Sequence, residues 1–178
     1  MSSEAAAGEP KKKAAPITDA ARDEVARLIG LDVAERAVDL MWNNKFDEAE
    51  KELRPTSTTL PRHADQYTEV QLLKCILTGT ASECAKLEER VKAQRALAEA
   101  HSKCYDRGTC PPGITVRAEG RERMMVLLNL HLDALLARGD AMLMNAVMHF
   151  VSGSKVKAIL QLRKSWKCFQ SVNKEFAQ

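Results

Sequence analysis

The segment Asn43-Asn44-Lys45-Phe46-Asp47-Glu48-Ala49 constrains this chain more than any other, because it reads as the hinge of an antiparallel helical hairpin. At such a hinge an aromatic ring plugs the groove between the helices, and a small residue three positions on lets their backbones approach closely; Phe46 and Ala49 fill those roles. Counting back on the same register, Leu40, Ala37 and Val33 fall where a two-helix repeat of about 34 residues wants a large apolar, a small and a bulky residue. Pro55 stops the second helix early, so the first hairpin spans about 32–54.

The rest of the composition agrees with helix. Aromatic residues make up 4% of the chain, Ala, Leu, Lys and Glu are abundant, and β-branched runs are few, which favours an all-α protein. At 178 residues the chain can bury one core or form a short array of helix pairs. A net charge of +3, without an Arg/Lys stripe carrying interleaved aromatics, argues against nucleic acid as a partner. Met1 to Pro16 contains no apolar signal region, so a cytoplasmic location is expected, with 1–16 a disordered tail and its three lysines solvated. Five cysteines, an odd number, are expected to be reduced thiols, with Cys75, Cys84 and Cys168 as small apolar packers.

The helical domain is then expected over 17–178. Thr18 or Asp19 caps a first helix that Gly30 stops, and Asp32 caps the next. A second hairpin spans about 62–104, broken at Gly79 and restarted by Ser82, and a loop of variable order covers 105–117. A third hairpin covers about 118–152, turning at Arg138-Gly139-Asp140 with Gly139 as left-handed cap and Asp140 as the following N-cap. Its run Met124 to Ala137 is interrupted by Asn129, His131 and Asp133 and reads as a buried helix, too short to span a membrane. A terminal helix, 154–176, carries an apolar stripe of Val156, Ile159, Leu160, Trp166, Phe169 and Val172.

Three blocks in order carry a family resemblance: Leu40 to Pro55, the His63 to Leu77 helix, and Phe150 to Ser154 leading to Leu162 through Phe169. In the last, Arg163, Ser165, Trp166 and Phe169 fill an Arg-x-Ser-aromatic-x-x-aromatic pattern. Together they resemble the family that holds tetratricopeptide repeat protein 39 and the fungal inclusion body clearance protein. The resemblance covers Asp32 to Val172, and because members are longer, the chain resembles their N-terminal portion. It implies an antiparallel helix-pair array of tetratricopeptide (α-solenoid) type and a non-catalytic adaptor that binds other proteins. The fungal member's link to aggregate clearance and lipid droplets implies a second role, at a membrane or lipid-droplet surface.

Candidate chemistry is sparse. His101, Cys104 and Cys110 suit zinc by residue type but lack a CxxC and a fourth ligand, and read as free thiols beside a helix-terminal His; no cofactor is expected. Arg138-Gly139-Asp140 matches an adhesion-receptor tripeptide and reads as a helix turn. His63, His131 and His149 pair with no nearby Ser or Cys in a nucleophile pattern, and no enzymatic role is expected. The terminal helix is the segment with functional bias. Lys155, Lys157, Arg163, Lys164, Lys167 and Lys174 fall on it without an acid from Ser154 to Asn173, alongside Trp166 and Phe169. Such a helix binds an acidic partner, lies on an anionic surface, self-associates through its stripe, or packs its apolar face inward with its lysines solvated.

Overall fold

The computed structural model describes residues 18–176; the expected disordered tail lies outside the described residues. Among those described there are seven α-helices and no strand: α1 (Asp19–Ile29), α2 (Leu31–Trp42), α3 (Phe46–Leu53), α4 (Pro61–Thr78), α5 (Ala81–Asp106), α6 (Gly120–Val151) and α7 (Lys155–Phe176). The chain is an all-α helical repeat protein.

Thr18 caps α1 by accepting from the Ala21 N–H. Gly30 ends α1 in the left-handed region, φ 66°, and α2 starts at once, so Asp32 lies in its first turn and is not its cap. The His63 ring sits on Gly30, with Nε2 2.8 Å from the Gly30 carbonyl oxygen and Nδ1 bonded to the Thr56 hydroxyl. The hinge between α2 and α3 uses Asn44 at φ 59°, a conformation Asn tolerates better than most non-glycine residues. Ala37, Ala49, Leu53, Tyr67 and Val70 are buried together there, and Phe46, half-buried, packs against them. Pro61 opens α4 at a position where a missing N–H costs nothing. Thr80, rather than Ser82, caps α5 by accepting from Glu83 N–H.

Polar groups tie the helix pairs together. Lys74 on α4 reaches Asp47 and Glu50 on α3, both at 2.6 Å. Tyr67 donates to Glu50 and accepts from Arg90, whose guanidinium also lies 4.1 Å over the Tyr67 ring. Gln94 on α5 is buried and donates from Nε2 to Asp65 of α4 and to the Ala137 carbonyl of α6.

Three expectations need correcting. The turn at Arg138-Gly139-Asp140 does not exist, since α6 runs unbroken from Gly120 to Val151. Gly139 is buried inside the helix, where its missing side chain admits the Phe169 ring of α7; an added Cβ would sit 2.7 Å from that ring. Glycine in a helix marks either a stop or a close approach, and packing selected the second. Cys75 and Cys84 are joined as a disulfide rather than reduced, because the short Gly79-Thr80 connection brings the end of α4 against the start of α5, Cα atoms 5.2 Å apart. Nor is the α5–α6 connector loose. Ile114 and Val116 are buried with Ala21, Leu28, Ile29, Val126 and Leu127, and Glu24 of α1 accepts from the N–H groups of Arg117 and Ala118.

Candidate functional site

Four residue types at helical spacing hold α7 in place. Ala158, Ser165, Cys168 and Val172 are buried on the side that meets α6. The Ser165 hydroxyl donates to the Gly139 carbonyl oxygen at 2.8 Å, Phe169 closes over Gly139, and Val172 joins Leu132 and Leu135. Small side chains on both partners let the two backbones approach.

That choice of face overturns the expected register of the terminal stripe. Phe169 and Val172 point inward, but Val156, Ile159, Leu160 and Trp166 do not, and Trp166 is 63% exposed. Reading by side-chain size picks the large residues as the buried side; here Ala, Ser, Cys and Gly line much of the tight interface beside Phe169 and Val172, and Val156, Ile159, Leu160 and Trp166 are left outside.

Lys155, Lys157, Arg163, Lys164, Lys167 and Lys174 are all exposed, and none forms an ion pair among the described residues. Helix α7 contacts α6 and no other helix among those described. No other described helix covers the outer side of α7, which combines cations with Ile159, Leu160 and Trp166. Glu175, beyond the cationic run, approaches the His131 ring, which itself stacks on Tyr105. No helix among the described residues is long and apolar enough to cross a membrane.

The other candidates do not assemble. His101 is buried, and desolvation lowers its pKa; Cys104 is buried, and Cys110 Sγ accepts from Arg123 at 3.2 Å. No group of three or more His, Cys, Asp or Glu side chains placed to hold a metal ion occurs among the described residues. Within the tripeptide 138–140, Arg138 pairs with Glu99 and Gly139 lies under Phe169, so it presents no protruding loop.

Sequence reasoning missed the acids between α4 and α6, of which Asp133 is buried and Asp65, Glu69 and Asp140 are half-buried. Asp65, Glu69, Asp133 and Asp140 all have raised pKa values, with burial the largest cause in each; for Asp65 the neighbouring Asp140 and Glu69 charges add to it. Arg62 partly offsets the burial of Asp133. Asp65 and Glu69 stand four apart on α4 and Asp133 and Asp140 seven apart on α6, each pair on one helix face, but only the packed structure brings the two pairs together.

A family model described as Iml2/Tetratricopeptide repeat protein 39 matches residues 35–178. Neither the curated proteins nor the solved structures contain a match.

Proposed function

The chain belongs to the Iml2/Tetratricopeptide repeat protein 39 family, and from that we infer a non-catalytic adaptor, cytoplasmic, that binds other proteins through its α7 end. Helical-repeat families of this kind mediate protein–protein contacts by stacking helix pairs into extended surfaces. The observation that carries the reading is the uncovered outer side of α7: a soluble monomer rarely leaves Val156, Ile159, Leu160 and Trp166 exposed together unless something docks there.

A second reading has its own support. An exposed Trp among lysines on one helix also suits an anionic surface, as at a membrane or lipid droplet. Co-sedimentation with phosphatidylserine vesicles, run beside affinity purification of the full chain with partner identification, separates the two. An adaptor stays in the supernatant and retains specific protein partners. Salt-sensitive sedimentation with vesicles, lost on charge reversal at Lys164 and Lys167, would overturn the adaptor reading.

A further inference from the structure

The exposed large residues of α6 and α7 lie on the same side of their hairpin. Residues Leu135 and Gly139 mark the side of α6 that meets α7, and Ser165, Phe169 and Val172 mark the side of α7 that meets α6. At about 100° per residue, Leu143, Val147 and Phe150 lie roughly a quarter turn from the first set. By the same count Ile159, Leu162 and Trp166 lie about a quarter turn from the second, in the same rotational sense. The two helices run antiparallel through the Ser152–Ser154 turn, so equal rotations in each helix's own frame converge on one face. All six side chains are exposed. They line one apolar groove between α6 and α7.

The charge around this groove is one-sided. Continuing round α7 past the apolar strip come Arg163 and Lys167, with Lys155 at the near end, while Lys157 and Lys164 lie farther round, away from the groove. From Gly139 to Val151, α6 carries no Lys or Arg. A flat anionic surface would be met by cations flanking an apolar crest on both sides, whereas this is a trough with cations along one edge.

Resting on the adaptor reading above, we propose that the α6–α7 groove takes an amphipathic helix of a partner protein whose apolar face fills the trough and whose acidic edge meets Arg163, Lys167 and Lys155. Helix-in-groove recognition uses apolar anchors at such spacing, and charge sets orientation and partner choice. A second copy of the chain is a poor occupant. Its acidic helix α3 is already engaged, with Asp47 and Glu50 held by Lys74 and Leu53 buried in the first hairpin.

The test uses two designed helical peptides with the same leucine stripe, one edged with Glu and the other with Lys. Fluorescence anisotropy should show the Glu peptide binding the full chain at least about tenfold more tightly than the Lys peptide, with affinity falling as salt rises. Leu162→Ser with Trp166→Ala should abolish the difference. Reversal at Arg163 and Lys167 should weaken the Glu peptide about tenfold or more, and reversal at Lys157 and Lys164 by less. All these positions are exposed, so unchanged circular dichroism melts confirm that the fold survives. Equal binding of the two peptides, binding of neither, or indifference to the Leu162 and Trp166 changes would overturn the proposal. So would sedimentation as a dimer that the groove variants dissolve. Protein partners retained regardless of the groove variants would remove this inference and the α7 end as the contact surface, and leave only protein binding itself standing; vesicle binding alone would remove both readings.

Discussion

Gly139→Ala gives the sharpest test of how α7 is seated. In an exposed helix interior the change is favourable by about 1 kcal/mol, because alanine loses less backbone entropy than glycine. At this position the new methyl would lie 2.7 Å from Cε1 and 3.0 Å from Cζ of Phe169, contacts a rigid ring relieves only by moving α7 outward. Overpacking of this kind costs about 1–3 kcal/mol, and separating the backbones also weakens the Ser165 bond to the Gly139 carbonyl, about 1 kcal/mol more. The net expectation is a loss of about 1–3 kcal/mol. Once Phe169→Leu has removed the ring edge, the same Gly139→Ala change should turn stabilising by about 1 kcal/mol, a coupling that a double-mutant cycle reads directly. Urea denaturation followed by far-ultraviolet circular dichroism is the suitable assay, because Trp42 and Trp166 are both exposed and report little on burial. If Gly139→Ala stabilises the otherwise unchanged protein, the Phe169 ring does not rest on Gly139 and the α6–α7 interface described above is wrong.

Gly30→Ala should cost about 3 kcal/mol or more, since it combines a positive φ with a Cβ lying against the buried His63 ring; a melt unchanged from the parent would show that the α1–α2 corner is not built on that contact. The acids Asp65, Glu69, Asp133 and Asp140 have folded-state pKa values raised above their unfolded ones, so their stabilising contribution is complete below the ordinary carboxylate range and is lost as pH rises through the folded values. Urea stability should therefore fall as pH rises above the ordinary carboxylate range, and Asp65→Asn, which keeps an acceptor for Gln94, should flatten that slope; an equally steep slope in the variant would count against it. Thiol titration of the denatured, unreduced chain should count three groups, Cys104, Cys110 and Cys168, rising to five after reduction; five at the outset would mean that Cys75 and Cys84 do not pair.

The helical class and the first hairpin were legible because they rest on local signals: the Phe46–Ala49 spacing, Leu40 and Ala37 on one face, and glycine stops at Gly30 and Gly79. Failures came where a local signal has two physical meanings. Gly139 followed by Asp140 carries the chemistry of a turn, yet the close approach of Phe169 uses the same absence of a side chain. The inward face of α7 was hidden for a related reason, since size marks a core-facing residue only when the partner helix stands at an ordinary distance. Between closely approached helices the buried positions go to Ala158, Ser165 and Cys168, and Trp166 is left outside. The cationic side chains at Lys155, Lys157, Arg163, Lys164 and Lys167 were readable because charge needs no register to be noticed. That Arg163, Lys167 and Lys155 fall on the side nearer the exposed apolar residues of α6, with Lys157 and Lys164 turned away, needed the placement of α6. The acid cluster of Asp65 and Asp140 and the Glu50–Tyr67–Arg90 links join residues far apart in the chain and had no sequence signature.

Glu24's hold on Arg117 and Ala118 spans 93 and 94 positions of chain, whereas α6 and α7 are joined by a short turn. Closing a loop that long is entropically slow compared with forming an adjacent hairpin. The order of assembly expected from this is that α6 and α7 associate early and that α1 docks on the segment carrying Ile114 and Val116 late. By the same asymmetry, amide hydrogen exchange should release the α1 protons at a lower free energy than those of mid-α6, so that the helix expected to arrive last is also the one expected to leave first.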